Sequence, residues 1–364
     1  MSTHIERLLD LAVRIQQVPA PTFEEKERAE LVRDLFTAES LEDVSMDTSH
    51  NVYGRLPGRT SINPLIVTAH LDTVFTARPP GLERTGDRIS GPGIGDNSLG
   101  VAALMGLVWM LRDSGATLES DLWLVANACE EGLGDLQGMK AAVDRFGRAV
   151  RAYLVVEGMA LGQVFHRAIG VRRYRVTVTT SGGHSWSDYG HPSAVHEVAA
   201  MITRLTSLRL PTSPRTTMNV GTISGGTGVN VLAPDARFEL DVRSESTKVL
   251  STLITRVEQR IMRARRDGVE VGMQIIGERP AGEIPADHDL VKLAKDCLEA
   301  ERITPSLTSG STDANIPLSR GIPAIVLGIT TGSGAHTPHE YIDTAPVGKG
   351  MRQLASFVTR LLQT

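Results

Sequence analysis

Three continuous apolar runs constrain the fold of this 364-residue chain more than any other feature. They are INPLIVTAH (62–70), DLWLVANA (121–128) and RAYLVVEG (151–158). Strands that are apolar on both faces belong to sheets that helices cover on both sides, and such sheets are usually parallel. A long helical pattern, NSLGVAALMGLVWMLRDSG (97–115), lies between the first two runs. The alternation predicts an α/β domain built on a mainly parallel sheet.

The pattern changes near residue 170, where VRRYRVTVTTSG alternates apolar and polar residues as a half-exposed antiparallel strand does. Helix and strand patterns then follow in the order β-α-β-β-α-β, which is typical of a small two-layer module. From about residue 283 the α/β character returns, with a strand pattern at 321–329 and a closing helical pattern. We therefore expect one α/β domain formed by residues 1–168 and 281–364, interrupted by an inserted α+β module at residues 169–280.

Polar clusters follow several predicted sheet strands at the point where each strand ends. They are TAHLDT (68–73), ACEEG (128–132), VVEG (155–158) and TTGSGAHTPHE (330–340). Because the functional crevice of an open α/β sheet forms at the carboxyl ends of its strands, we expect these clusters to converge. A fifth cluster, GPGIGDNSLG (91–100), places Asp96 at the start of the long helical pattern, where taken alone it suits an ordinary N-cap.

The adjacent carboxylates of Glu130 and Glu131 end an apolar run and repel each other, so they need a compensating charge. His70 and Asp72 are two apart on an extended segment and point to the same side, and a carboxylate beside an imidazole commonly orients it toward a metal. Taken singly, such residues also suit a satisfied strand-end histidine or a solvated loop carboxylate. Together they predict a carboxylate-bridged site for two divalent cations, with zinc favoured and cobalt or manganese as alternatives.

The two cysteines, Cys129 and Cys297, lie in apolar segments, which we interpret as buried free thiols of a protein in the reducing cytoplasm. The N-terminal segment resembles an amphipathic helix rather than a signal peptide, and we identify no membrane span of ~20 apolar residues. The net charge of −4, with its signs interspersed, gives no indication of nucleic acid or an anionic membrane as a partner.

The motifs HLD, GIGDN, EEG, VVEG and GAHTPHE occur here in the order seen in the M20 family of dinuclear zinc peptidases and amidohydrolases, which the chain resembles. The resemblance covers nearly the whole chain, since that family also inserts a ferredoxin-like lid or dimerisation domain into its catalytic domain. It implies that Asp96 bridges the two metals, that His70 and Glu157 complete one site, and that Glu131 and His336 complete the other.

The resemblance further implies that Asp72 orients His70 and that Glu130 is the general base toward a metal-bridging water. Many family members have Asp-Asp-Lys-Gly where this chain has Asp96-Asn97-Ser98-Leu99, which changes the charge around the metals but not the proposed ligands. Four further histidines have no role in the family pattern, and we expect ordinary surface or core positions for them: His166, His191, His196 and His339.

In the inserted module, GGHSW resembles the lid-histidine motif, which implies that His184 stabilises the oxyanion, from the neighbouring subunit of a homodimer. Matching positions imply contacts of Asn230 and Arg243 with a substrate carboxylate, and of the Gly310 backbone with the substrate. A strand-surface arginine that pairs locally is the alternative interpretation of Arg243.

The resemblance implies hydrolysis of an amide bond in a small peptide or N-acyl amino acid. Within the family, Glu at the position of Glu157 accompanies aminoacylase and carboxypeptidase activity, which implies recognition of a free substrate carboxylate. A tripeptide aminopeptidase similar to peptidase T is the alternative. A non-catalytic binding protein with the same fold is the alternative of another class, and it predicts that the ligands or the base are lost.

Overall fold

The computed structural model describes residues 2–76 and 82–363. The chain divides into two compact units. The discontinuous unit comprises Met1–Ala168 and Gly282–Thr364, and the inserted unit comprises Ile169–Ala281.

The helices and strands are numbered here in chain order. The α-helices are α1 (Ser2–Gln16), α2 (Lys26–Ala38), α3 (Leu99–Asp113), α4 (Gln137–Phe146), α5 (Ala194–Thr206), α6 (Thr247–Met262), α7 (Asp289–Ala300), α8 (Asn315–Ser319) and α9 (Val347–Leu362). The strands are β1 (Glu42–Met46), β2 (Val52–Leu56), β3 (Thr60–His70), β4 (Glu83–Thr85), β5 (Arg88–Ser90), β6 (Ser120–Asn127), β7 (Ala152–Glu157), β8 (Gln163–Ala168), β9 (Gly170–Thr179), β10 (Gly183–His184), β11 (Thr216–Gly225), β12 (Val231–Leu232), β13 (Asp235–Ser244), β14 (Glu270–Arg279), β15 (Gly282–Glu283), β16 (Ser306–Gly310), β17 (Ala324–Gly328), β18 (Gly332–Ser333) and β19 (Tyr341–Asp343).

The central sheet of the discontinuous unit has the strand order β1-β2-β6-β3-β7-β17-β8-β15, with β16 paired to β8. Its middle strands β6, β3, β7 and β17 run parallel to one another. The outer strands β1, β2 and β15 are antiparallel to their neighbours. The parallel middle strands are buried along most of their length, which confirms the predicted α/β class.

Helix α3 forms the centre of one helical layer and packs against α1 and α9. With the turn before it, this helix forms the stretch Ile94–Asp113, which is long and apolar enough to cross a membrane by length and composition alone. Its most apolar window is 89% buried inside the structure, as the core helix of a globular domain is. Apolar character on all sides therefore reflects burial between the sheet and neighbouring helices.

The parallel strands bring their carboxyl ends to one edge of the sheet. Strand β3 ends at His70, which is in register with Asn127 at the end of β6. Strand β7 ends at Glu157, which is in register with Gly328 at the end of β17. The polar clusters of the sequence follow these ends, so the topology gathers them on one edge.

The inserted unit is an antiparallel sheet of order β11-β13-β9-β14 with α5 and α6 packed on one face. Along β9, Tyr174, Val176 and Val178 are buried, whereas Arg173 and Arg175 on the opposite face are half-buried. The period of two explains the alternation in the sequence. The short pair β10-β12 joins Gly183 and His184 to residues 231–232.

Candidate metal centre

His70 lies at the end of β3 with its ring nitrogens in contact with carbonyl and carboxylate oxygens. Its Nε2 is 3.1 Å from Asp96 Oδ1 and 3.7 Å from Glu157 Oε2. Its Nδ1 is 3.0 Å from the backbone carbonyl oxygen of Asp72 and 3.6 Å from the Asp72 carboxylate. The imidazole is therefore oriented by the main chain of Asp72 more closely than by its side chain. The ring is 2% exposed, and its Nε2 points at two carboxylates.

Asp96 presents its second carboxylate oxygen to the other histidine. The distance between Asp96 Oδ2 and His336 Nε2 is 3.1 Å, and His336 Nε2 lies 3.0 Å from Glu131 Oε1. His70, Asp96 and Glu131 each offer one ligand atom, and these atoms lie within 4.8 Å of one another. The structure thus brings together all five residues predicted as ligands, with Asp96 between the two histidines.

The pKa values of this cluster reflect both burial and the close pairing of histidines with carboxylates. Contacts with Asp96 and Glu131 raise the pKa of His336 to about 10. Burial raises the pKa of Glu131 to about 7, despite the opposing effect of His336. Burial also acts to raise the pKa of Asp96, but the two histidines outweigh it and hold that pKa well below its usual range. Cations that bind these ligands would displace the protons.

Asp72 fixes the backbone that follows β6. Its Oδ1 accepts a hydrogen bond from the Glu130 N–H and its Oδ2 accepts one from the Glu131 N–H, both 2.9 Å long. The hydroxyl of Thr22 donates a third hydrogen bond of 2.9 Å to Oδ2. Because Cys129 adopts a φ of 57°, the chain turns sharply just before the two glutamates. Both glutamates are largely buried, and Glu131 reaches His336.

A buried carboxylate that the sequence analysis did not assign, Glu340, holds the loop of Asp96. It accepts hydrogen bonds from the backbone N–H groups of Gly93, Gly95 and Asp96, at 2.7 to 2.8 Å. Burial raises the pKa of Glu340 to about 7. The motif GAHTPHE contains this residue, but its partners are backbone groups far away in the sequence, which no sequence pattern reveals.

Asn97 joins the Asp96 loop to the end of β7. Its Nδ2 donates to the carbonyl oxygen of Val156 at 2.9 Å, and its Oδ1 accepts from the Gly158 N–H at 2.8 Å. The peptide bond between Asp96 and Asn97 is cis. Asp96 is not helical, and α3 begins only at Leu99, without a side-chain cap. The N-cap interpretation of Asp96 is therefore wrong, because its carboxylate contacts the histidines instead.

A second unassigned acid, Asp313, is fully buried beside the end of β6. Its Oδ2 accepts a hydrogen bond of 2.7 Å from Asn127 Nδ2. In the described part of the chain, Asp313 Oδ1 and Asn127 Oδ1 have no hydrogen-bond partner. Burial raises the pKa of Asp313 well above its usual range, and the nearby charge of Glu130 acts in the same direction.

The residues predicted around the substrate lie in both units. In the inserted unit, Ser185 donates its N–H to the Asn230 carbonyl oxygen at 3.0 Å, which holds the His184 turn beside Asn230. The Nδ1 of His184 accepts the Trp186 N–H at 3.2 Å, so this contact leaves Nε2 as the nitrogen that carries the proton. In the discontinuous unit, Gly310 ends β16.

Arg243 pairs locally, with its Nε 2.7 Å from Asp241 Oδ1. The alternative interpretation of this arginine is thus present in the structure, and its contact with a substrate carboxylate stays a prediction. Of the four histidines without a predicted role, His166 is buried and its Nδ1 lies 2.7 Å from the Ile284 carbonyl oxygen. The other three are exposed: His191, His196 and His339. Both cysteines are buried and free, as expected.

Comparison with known protein sequences identifies a family match and a relative that covers most of the chain. A sequence model described as Peptidase family M20/M25/M40 matches residues 66–360. A succinyl-diaminopimelate desuccinylase of Corynebacterium glutamicum is 23% identical over 338 residues, which cover 91% of this chain and 90% of that protein.

Solved structures share the fold over the full length. A tripeptidase of Staphylococcus aureus has a TM-score of 0.83 at 19% identity, with 99% of each chain covered. A Bacillus subtilis protein described as a dinuclear metal binding peptidase from the M20 family has a TM-score of 0.73 at 15% identity, with 100% of each chain covered. At these identities the structural similarity shows the fold alone.

Proposed function

This chain belongs to peptidase family M20/M25/M40, and on that premise we propose that it is a dinuclear metallohydrolase that cleaves an amide bond in a small peptide or N-acyl amino acid. The observation that carries the proposal is the position of Asp96, whose two carboxylate oxygens each lie 3.1 Å from a different histidine Nε2. A carboxylate in this position can bridge two cations.

Two triads of side chains would hold the cations. His70, Asp96 and Glu157 form one, and His336, Asp96 and Glu131 form the other. Imidazole and carboxylate ligands suit zinc, with cobalt or manganese as alternatives. When bound, the cations would polarise the scissile carbonyl group and lower the pKa of the attacking water.

Glu130 is the proposed general base. Its backbone is fixed by Asp72, and its neighbour Glu131 turns its carboxylate toward His336. Glu130 takes a proton from the attacking water and later delivers it to the leaving nitrogen. When bound, the cations would offset the repulsion between the two glutamates.

Residues outside the metal cluster would bind the rest of the substrate. His184 donates a hydrogen bond from Nε2 to the oxyanion. This histidine belongs to the neighbouring subunit of a homodimer that forms through the inserted unit. Asn230 and Arg243 bind a free substrate carboxylate, and the backbone of Gly310 contacts the substrate. Glu157, rather than Asp, favours this carboxypeptidase or aminoacylase type of recognition, and the similarity to a desuccinylase supports an N-acyl amino acid.

A tripeptide aminopeptidase is the second candidate, since the same fold occurs in the S. aureus tripeptidase. A substrate panel with free and blocked amino ends, crossed with free and blocked carboxyl ends, separates the two. Loss of hydrolysis when the carboxyl end is blocked supports the first proposal, and loss when the amino end is blocked supports the second. If folded, metal-loaded protein hydrolyses no member of the panel, the remaining interpretation is a binding protein.

A further inference from the structure

Phe23 adopts a backbone conformation that an aromatic residue rarely adopts. Its φ is 77°, and its side chain is 55% exposed. Positive φ is unusual for a bulky residue and costs free energy. Strained residues of this kind concentrate at ligand-binding sites. The conformation therefore directs attention to what lies beside Phe23.

The turn that carries Phe23 is attached directly to the candidate metal centre. The preceding residue, Thr22, donates its hydroxyl to Asp72 Oδ2 at 2.9 Å. The Phe23 N–H donates to Glu25 Oε1 at 3.0 Å, and the same oxygen accepts the Cys129 N–H. Phe23 is thus held between the segment of Asp72 and the segment that leads to the glutamates.

Two more exposed apolar side chains belong to the same segments. Val74, two residues after Asp72, is 37% exposed, and Leu133, two residues after Glu131, is 46% exposed. Hydrogen bonds join the segments of Phe23 and Val74, since Thr73 donates its N–H to the Ala20 carbonyl oxygen. The segment of Leu133 packs against the turn that carries Phe23. A Cβ on Gly134 would lie only 2.6 Å from Thr22 Cγ2. We call Phe23, Val74 and Leu133 the apolar rim.

Exposed apolar residues are otherwise sparse on the described surface of the discontinuous unit. The other large ones are Ile62 and Leu307, which lie on strands β3 and β16. Single exposed apolar side chains are ordinary, whereas exposed apolar side chains on segments that adjoin a site are candidates for contact with its ligand. If the charged centre acts on the amide group as proposed, the rim is placed to meet an apolar part of the same molecule.

We propose that the apolar rim contacts an apolar acyl group or side chain of the substrate, and so makes the enzyme selective for apolar substrates. This inference rests on the proposed amide hydrolysis, and it restricts the expected substrates to apolar ones. Phe23 and Leu133 are specificity residues in this view, and they take no part in bond cleavage.

Two pairs of probes test the inference on the metal-loaded protein. N-acetyl-leucine is compared with N-acetyl-aspartate, and N-benzoylglycine with N-succinylglycine. We expect kcat/KM to favour the apolar member of at least one pair by about tenfold or more, the range that a small change in an apolar pocket produces. Phe23→Gly and Leu133→Ser should each reduce that preference several-fold, mainly through KM.

The matched control is Ile62→Ser, which removes an exposed apolar side chain of the same unit at the opposite end of β3 from His70. It should leave the preference unchanged. Glycine adopts positive φ without strain, so Phe23→Gly is expected to fold, and its thermal midpoint checks this. Equal kcat/KM values within both pairs, or an unchanged preference in Phe23→Gly, would overturn the inference and leave the proposed hydrolysis intact.

Binding of the same probes to the metal-loaded Glu130→Gln variant, measured by calorimetry, separates the two proposals. A binding preference that Phe23→Gly abolishes, without hydrolysis by the parent protein, supports the rim and refutes the proposed reaction. No binding preference in either pair refutes the rim.

Discussion

The Glu131 N–H donates a 2.9 Å hydrogen bond to Asp72 Oδ2, which links the end of β3 to the turn after β6. The other oxygen of Asp72 accepts the Glu130 N–H, so one buried carboxylate positions both glutamates. Burial opposes the ionised form of Asp72, but His70 and these N–H groups hold its pKa below the usual range. The ionised form is therefore the one that supports the centre.

Asp72→Asn should weaken metal binding by about 10- to 100-fold, because an amide offers only one acceptor to the two glutamate N–H groups. The dissociation constant for zinc, measured against a competing chelator, checks this. Thr22→Val is the matched control, since it removes one hydrogen bond to Asp72 and leaves the carboxylate in place, so its effect should be smaller. Unchanged affinity in Asp72→Asn would contradict a supporting role for this carboxylate.

Glu130→Gln should retain both metals and lose about 10²- to 10⁴-fold in kcat, the range for removal of a general base. The adjacent substitution Glu131→Gln should instead lower metal content. We would measure kcat and metal content for both variants, which carry the same substitution at neighbouring positions. A Glu130→Gln enzyme with near-normal kcat would rule out this residue as the base.

Asp96→Ala should lose both metals, because each triad uses one oxygen of this carboxylate. His336→Ala removes a ligand from one triad only and should retain one metal. Native mass spectrometry gives the metal-to-protein ratio of each variant. Two metals bound to Asp96→Ala with near-normal affinity would show that the carboxylate does not bridge.

The stability of the chelated protein should fall as pH rises from about 5 to about 9. Glu131 holds its proton more strongly when folded, with a pKa raised from 4.5 to about 7, so its contribution to stability is lost as the pH rises from about 4.5 to about 7. The pKa of His336 is raised from 6.5 to about 10. Its contribution to stability is therefore full below pH 6.5 and is lost as the pH rises toward 10. Metal binding needs the deprotonated ligands, so the difference in thermal midpoint between loaded and chelated protein should grow with pH. A difference independent of pH would contradict this account.

If His184 acts across a dimer, a mixture of His184→Ala and Glu130→Gln subunits should recover part of the activity. A hybrid dimer then contains one site with an intact base and an intact partner histidine. Activity is measured after subunit exchange has been demonstrated by mass spectrometry of differently tagged chains. Exchange without recovery would place His184 in its own subunit's site.

The central strands and the gathering of polar residues at their ends could be predicted from sequence because both depend on local patterns. Apolar runs predicted the central strands to within a few residues, and polar motifs at their ends indicated the convergence of His70, Glu131 and Glu157. The helical pattern proposed to start near residue 97 begins at Leu99, since the chain at Asp96 is not helical.

The roles of Glu340 and Asp313 could not be predicted, because their partners are distant in the sequence. Glu340 bonds to the Asp96 N–H across a separation of 244 residues, and Asp313 bonds to Asn127 across 186. Asp313 also lies in a segment rich in Gly, Ser and Thr. Such a composition suggests an exposed loop, whereas Asp313 is fully buried. The pairing of Arg243 with Asp241 could have been foreseen, since residues two apart on a strand share a face.

Glu340 accepts the backbone N–H groups of Gly93, Gly95 and Asp96, so a single buried carboxylate fixes the backbone from which Asp96 projects. Because Asp96 belongs to both proposed triads, a substitution of Glu340 would disturb both proposed metal sites at once, although Glu340 is not one of the proposed ligands.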